Sequence, residues 1–166
     1  MPLIRKGVPV ENVFADAADG APLPGGALIV SLKRFLAERE VLLQRNAPLG
    51  VRLKSDESPE ALGEDAQRLQ LVVLEFPRFR DGRPFSWARM LRTRQRFTGE
   101  IRARGDFLYD QIAFLHRVGV DAFEVSDKIT PAMVCRALGE IGQVYQPSAD
   151  GRRTIRDLRL YKSLAK

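Results

Sequence analysis

Short apolar runs alternate with amphipathic stretches along most of this chain, and that rhythm constrains the fold more than any other feature of the sequence. Ala27–Leu32 reads as a strand, and Lys33–Arg45 as a helix with Phe35, Leu36, Val41 and Leu42 available for a buried face. Leu49–Leu53 is a second strand. Ser58 then offers an N-cap with Pro59 at the first helical position, and the helix runs to Leu69. Leu71–Phe76 is the clearest strand: five of its six residues are apolar, the pattern expected where both faces are covered. Pro77–Pro84 forms a loop that turns at Asp81–Gly82, and a helix follows over Phe85–Arg96. Gly99–Arg104 is a strand, and Gly105–Asp106 supplies a turn and N-cap for a helix over Phe107–Arg117 that Gly119 closes. Asp121–Val125 is another strand, and Thr130–Pro131 opens a helix to Ile141.

Such β-α units recur about five times at spacings of about 22 to 28 residues, the rhythm of a parallel sheet with crossover helices. The expected fold is therefore α/β: one domain whose parallel sheet is either open and doubly wound or curled into a partial βα barrel. The core domain is expected over 27–144. Residues 1–26 read as an irregular lead-in, because Ala17–Gly20 and Pro22–Gly26 break any periodicity. Residues 145–166 read as a basic tail with a weak helical pattern over Ile155–Leu164. A length of 166 residues suits one domain, and 45% hydrophobic with 29% charged residues argues against wholesale disorder.

Positive charge is concentrated in one place. From Arg78 to Arg104 there are nine arginines, no lysine and two acids (Asp81 and Glu100), a surplus of seven in a chain of net charge +6. Outside that segment the chain sums to −1. Guanidinium groups suit bidentate contact with carboxylate, phosphate or sulfate oxygens. In either sheet architecture ligands bind beyond the carboxyl ends of the strands. Lys54–Ser58, Pro77–Ser86, Arg104–Asp106 and Ser126–Lys128 would meet on that edge. Arg78, Arg80, Arg83, Arg104 and Asp106 are accordingly the candidate ligand-binding residues, for an oxyanion held by guanidinium groups and helix N-termini. The same arginines could equally pair with Asp81, Asp106, Asp110 and Glu124 as a structural network, and the sequence leaves both readings open. Arg89, Arg92 and Arg96 lie off the apolar stripe of Trp87, Met90, Leu91 and Phe97, and are candidates for a partner-protein surface.

Much familiar chemistry is missing. No G-x-G-x-x-G follows a strand, and no G-x-x-x-x-G-K-[ST] or G-x-S-x-G occurs, so no cofactor is identified; FMN would leave neither nucleotide signature. Single-strand stacking platforms and helix-turn-helix patterns are absent, which argues against nucleic acid. Cys135, the only cysteine, reads as a buried small hydrophobe, and His116, the only histidine, as a helix-end residue. No metal site is expected. Met1–Val13 has no apolar stretch of signal-peptide length, and no run approaches the roughly twenty residues that span a bilayer, so a cytoplasmic address is expected.

The segments Phe79–Arg89, Leu91–Arg94, Gly99–Asp106, Asp110–Gln111 and Gly119–Glu124 together resemble the proteobacterial family called domain of unknown function 934. The FRDGR, GE-x-RA-x-GD and GxDAFE pieces carry the resemblance, in order, within Leu71–Ile141. Members of that family are often described as oxidoreductases and tend to be encoded beside sulfite reductase and other sulfate-assimilation enzymes. The resemblance implies an accessory role in that pathway, with sulfite reductase or a related enzyme as partner. It carries over no catalytic residue. The alternative is a small α/β enzyme or binder for a sulfate- or phosphate-bearing metabolite.

Overall fold

The structure is a computed structural model and describes residues 1–164. Eight strands among them form one sheet: β1 (Leu3–Arg5), β2 (Val8–Val10), β3 (Ala15–Asp16), β4 (Leu28–Ser31), β5 (Leu49–Leu53), β6 (Leu71–Phe76), β7 (Glu100–Gly105) and β8 (Ala122–Glu124). The helices are α1 (Leu32–Ala37), α2 (Arg39–Leu43), α3 (Arg83–Thr93), α4 (Ile112–Arg117), α5 (Pro131–Glu140) and α6 (Ile155–Leu164), with 3₁₀ segments at Pro59–Arg68 and Tyr109–Gln111.

The sheet order is β2-β1-β8-β7-β6-β5-β4-β3. From β3 to β8 every strand is parallel to the next and lies beside it, while β1 runs antiparallel to both β2 and β8. The order of the parallel strands never reverses, so there is no doubly wound switch point. Alternate strand residues such as Val30, Val51, Val72, Leu74, Ile101 and Phe123 join Phe35, Leu62, Leu91, Ile112 and Val134 of the helical layer in one core. The residues between them face the other way, where Ile29, Leu71 and Val73 pack with Phe14 in a second, smaller cluster.

That second face is concave. In a flat sheet the seven steps from β2 to β3 would span about 34 Å at about 4.8 Å each. Yet Glu11–Phe14 alone joins Val10 to Ala15, a reach of about 19 Å at most over five Cα steps. Arg104 of β7 also meets Asp16 of β3 at 2.9 Å, four places away in the sheet. The sheet is a half-barrel, the second of the two architectures that the rhythm allowed.

The largest correction concerns the first 26 residues, expected to be irregular, which supply three strands. Strands of three, three and two residues are too short to show a period. The turn between β1 and β2 is Lys6–Gly7, with φ of 51° and 78°, the paired left-handed geometry of a two-residue hairpin. The helix expected over 33–45 is broken at Glu38, whose φ and ψ are −112° and 23°. Ser58 does cap the next segment by accepting from the Glu60 N–H, but that segment is 3₁₀ and bends at Gly63. Asp106 caps no helix, because its carboxylate accepts from the Phe79 N–H instead. Cys135 is exposed rather than buried, on the side of α5 that abuts Gly7.

Gly105 ends β7 with φ of 121°, and a Cβ there would stand 2.3 Å from the Phe76 carbonyl oxygen. Gly139, within α5, would meet nothing within 4 Å. Gly105→Ala should therefore lower unfolding free energy by about 2 kcal/mol or more, whereas Gly139→Ala should raise it by up to about 1 kcal/mol. Urea unfolding of the two variants beside the parent protein checks both signs.

Candidate functional site

Along β7 the side chains alternate, with Ile101 and Ala103 in the main core and Glu100, Arg102 and Arg104 on the concave face. Arg102 is 1% exposed, and a guanidinium so buried needs partners for its donors. Its Nε donates to Glu100 at 2.9 Å, and its Nη1 to Glu124 at 2.9 Å and to Asn12 Oδ1 at 3.0 Å. The Phe14 ring lies 5.9 Å from its guanidinium carbon. Arg104 grips the same Glu124 in bidentate fashion, at 2.5 and 2.9 Å, and gives a third bond to Asp16. Burial disfavours the Arg104 charge, but the hydrogen bonds to Glu124 and Asp16 outweigh it and hold the pKa above the ordinary arginine value. Arg52 bridges Asp16 and Glu75 at 3.3 and 3.2 Å, and Arg5 pairs with Glu100.

Above this layer, at the carboxyl ends of β5, β6 and β7, is a cavity of about 520 Å³. Lys54, Ser55 and Asp56 follow β5 on one side of it. Glu75, Phe76 and Pro77 come from the end of β6, Arg104 and Gly105 from the end of β7, and Arg83 from the first turn of α3. Arg83 is held by Asp81, to which its Nε and Nη2 donate at 2.9 and 2.7 Å, while Nη2 also reaches Ser55 Oγ at 3.0 Å. The Trp87 indole N–H donates to the Ser55 carbonyl at 2.9 Å, so α3 fixes the loop after β5 through two side chains. The hydrogen bond from Arg83, followed by that from Ser55, pulls the Asp81 carboxyl far below the usual range.

Of the residues singled out from the sequence, Arg83 and Arg104 share this cavity. Arg78 and Arg80 do not line it; they stand exposed on the loop after β6, with Arg80 over the Phe79 ring at 5.4 Å. Asp106 lies beside that loop and restrains it through the Phe79 N–H, while Gln111 donates to the Phe79 carbonyl at 2.9 Å. Arg89 and Arg96 are exposed, Arg96 with φ of 52°. Arg92 is engaged internally: it donates to the carbonyls of Gly119, Phe97 and Gly99 and pairs with Asp121. His116 sits in the last turn of α4, its Nδ1 3.2 Å from the Val120 carbonyl. Sequence reasoning missed Asp16, Arg52 and Glu75. For Arg52 and Glu75 the signal was present, since each is a lone charge in an otherwise apolar strand.

Removing Arg102 strips Glu124 and Glu100 each of one cationic partner and opens a cavity in the buried layer. Arg102→Ala should cost about 3 kcal/mol or more by chemical denaturation, well beyond an exposed substitution such as Arg89→Ala. Asp81 gives a separate readout. Its folded pKa is lowered, so its link to Arg83 is complete above the unfolded carboxylate value of about 4 and is lost only as pH falls through the folded value. An NMR titration of the Asp81 carboxyl carbon should show its inflection well below pH 4, and Arg83→Ala should move it upward.

Residues 50–156 match the family described as a bacterial protein of unknown function (DUF934). No curated protein and no solved structure matches the chain. The matched stretch is well over half of the chain, runs from β5 into α6, and contains every residue that lines the strand-end cavity. The chain belongs to the DUF934 family.

Proposed function

We propose that the protein binds a small sulfate- or phosphate-bearing metabolite in the strand-end cavity, as an accessory of assimilatory sulfite or sulfate reduction in the cytoplasm. The observation that carries the binding half is the convergence of Arg83 and Arg104 on one cavity at the carboxyl edge of a parallel sheet. Among the described residues Arg83 Nη1 has no acceptor, and neither has the Lys54 ammonium, so donors remain for a ligand. The pathway half comes from the resemblance of the FRDGR, GE-x-RA-x-GD and GxDAFE segments to a family whose members tend to be encoded beside sulfite reductase. No helix among the described residues is long and apolar enough to cross a membrane.

A thermal-shift panel at fixed ionic strength tests the binding half, with sulfite, sulfate, phosphate, adenosine phosphosulfates, FMN and nicotinamide nucleotides. A specific ligand at a hundred times its dissociation constant should add about 2.7 kcal/mol, a shift of several degrees. Arg83→Ala should abolish that shift while lowering the unliganded midpoint only slightly, since its pair with Asp81 is exposed. Arg104→Ala should lower the midpoint as well, because Glu124 loses a bidentate partner. A flat panel rejects these oxyanions and nucleotides as ligands.

A second reading is favoured by a different observation. Arg78, Arg80, Arg89 and Arg96 are exposed and form no ion pair among the described residues. An acidic surface on sulfite reductase or a related enzyme would satisfy them. Capture of that enzyme from lysate should weaken steeply between about 0.1 and 1 M salt, where screening shortens from about 10 to 3 Å. Charge reversal at Arg89 and Arg96 should abolish it; capture insensitive to both salt and charge reversal counts against this reading.

A further inference from the structure

The strand-end cavity carries one surplus positive charge in its lining, and none once its supporting side chains are counted. Its lining cations are Lys54, Arg83 and Arg104, and its lining acids are Asp56 and Glu75. With the side chains that hold them and the layer beneath, the cations are Arg5, Arg52, Lys54, Arg83, Arg102 and Arg104. The carboxylates are Asp16, Asp56, Glu75, Asp81, Glu100 and Glu124, also six. A bare oxyanion entering such a place gains the free donors of Lys54 and Arg83 but faces carboxylates it cannot satisfy, and gives up hydration without a net opposite charge in return.

The unengaged valences are of both signs. Lys54 and Arg83 Nη1 are donors without acceptors among the described residues. Neither the Asp56 nor the Glu75 carboxylate accepts a side-chain hydrogen bond there, and Glu75 meets Arg52 as an ion pair at 3.2 Å. Phe76 and Pro77 supply an apolar wall to the same cavity. A ligand with a cationic group and an anionic group on a short carbon frame would use both sets at once, at no net charge cost.

We propose that the ligand of this cavity is zwitterionic, a small metabolite carrying a protonated amine as well as its sulfonate, sulfate or phosphate group. The oxyanion end is taken by Lys54 and Arg83 and the ammonium end by Asp56 and Glu75. This assignment rests on the binding reading above and adds the amine to it.

Calorimetric titration with two amine-matched pairs separates the two ideas: taurine against ethanesulfonate, and phosphoethanolamine against ethyl phosphate, at neutral pH and constant ionic strength. The amine-bearing member of at least one pair should bind about tenfold tighter or better, the scale of one well-formed charge pair. The double variant Asp56→Asn/Glu75→Gln, with its fold checked by thermal unfolding, should lose most of that preference. Equal affinities within both pairs overturn the zwitterion assignment and leave the binding reading standing. A preference that survives in the folded double variant also overturns it, since the amine is then read elsewhere. Absence of binding by all four compounds removes the assignment, and with a flat thermal-shift panel the binding reading falls too.

Discussion

Glu124 lies between two guanidinium groups, and the shape of the molecule depends on that arrangement. Arg102 and Arg104 both donate to it, and through Asn12 and Asp16 they reach the segment that arrives from the far edge of the sheet. Charges at inward positions of a strand cannot be left against bare sheet, because desolvation without partners costs several kcal/mol each. Glu124 on the neighbouring β8 is in reach of β7 in any sheet, but Asp16 on β3 and Asn12 on the connection between β2 and β3 come within reach only when the sheet curls. Hydrophobic burial on the outer face is indifferent to curvature by comparison, since helices can follow either shape. The polar inner layer therefore specifies the half-barrel where the apolar layer only stabilises it.

The arginines of the central segment divide into two populations. Arg83, Arg92, Arg102 and Arg104 are bound to named acceptors of the chain; Arg83 stays half exposed, and the last two are partly or wholly buried. Arg78, Arg80, Arg89, Arg94 and Arg96 stand in solvent, Arg94 with the equally exposed Glu60 at 3.5 Å. Sequence composition counts all of them alike, as one basic region. In the folded molecule that region is a neutral interior and cavity beside a charged outer surface, two environments with different ligands and different responses to salt.

How much of this was legible in the sequence follows from the range of each interaction. β5, β6 and α6 lie where local pattern placed them, because alternation and apolar runs are encoded within a few residues. Thr130 caps α5 as expected for the same reason, its hydroxyl accepting from the Met133 N–H three residues on. The choice between open sheet and half-barrel was not legible, since it turns on Arg104 meeting Asp16 across 88 positions of chain. For the site, strand-end placement of Arg83 and Arg104 followed from topology alone. The neutrality of the cavity did not, because it depends on which acid each arginine finds, and Asp16 belongs to a two-residue strand that no periodicity can reveal.

The pairing of β1 with β8 places Leu3 opposite Glu124, so the β1–β2 hairpin finds its place in the sheet only after about 120 further residues have been made. Until then the concave face is open, Arg102 lacks its Asn12 and Glu124 acceptors, and the apolar patch of Ile29, Leu71 and Val73 waits uncovered. Contacts of such long range close slowly against loop entropy and leave strand edges exposed while they do. The growing chain can assemble β4 to β7 in order, each strand against the one just made. The sheet's final closure then belongs to a segment synthesised long before its counterpart, held in reserve until β8 appears.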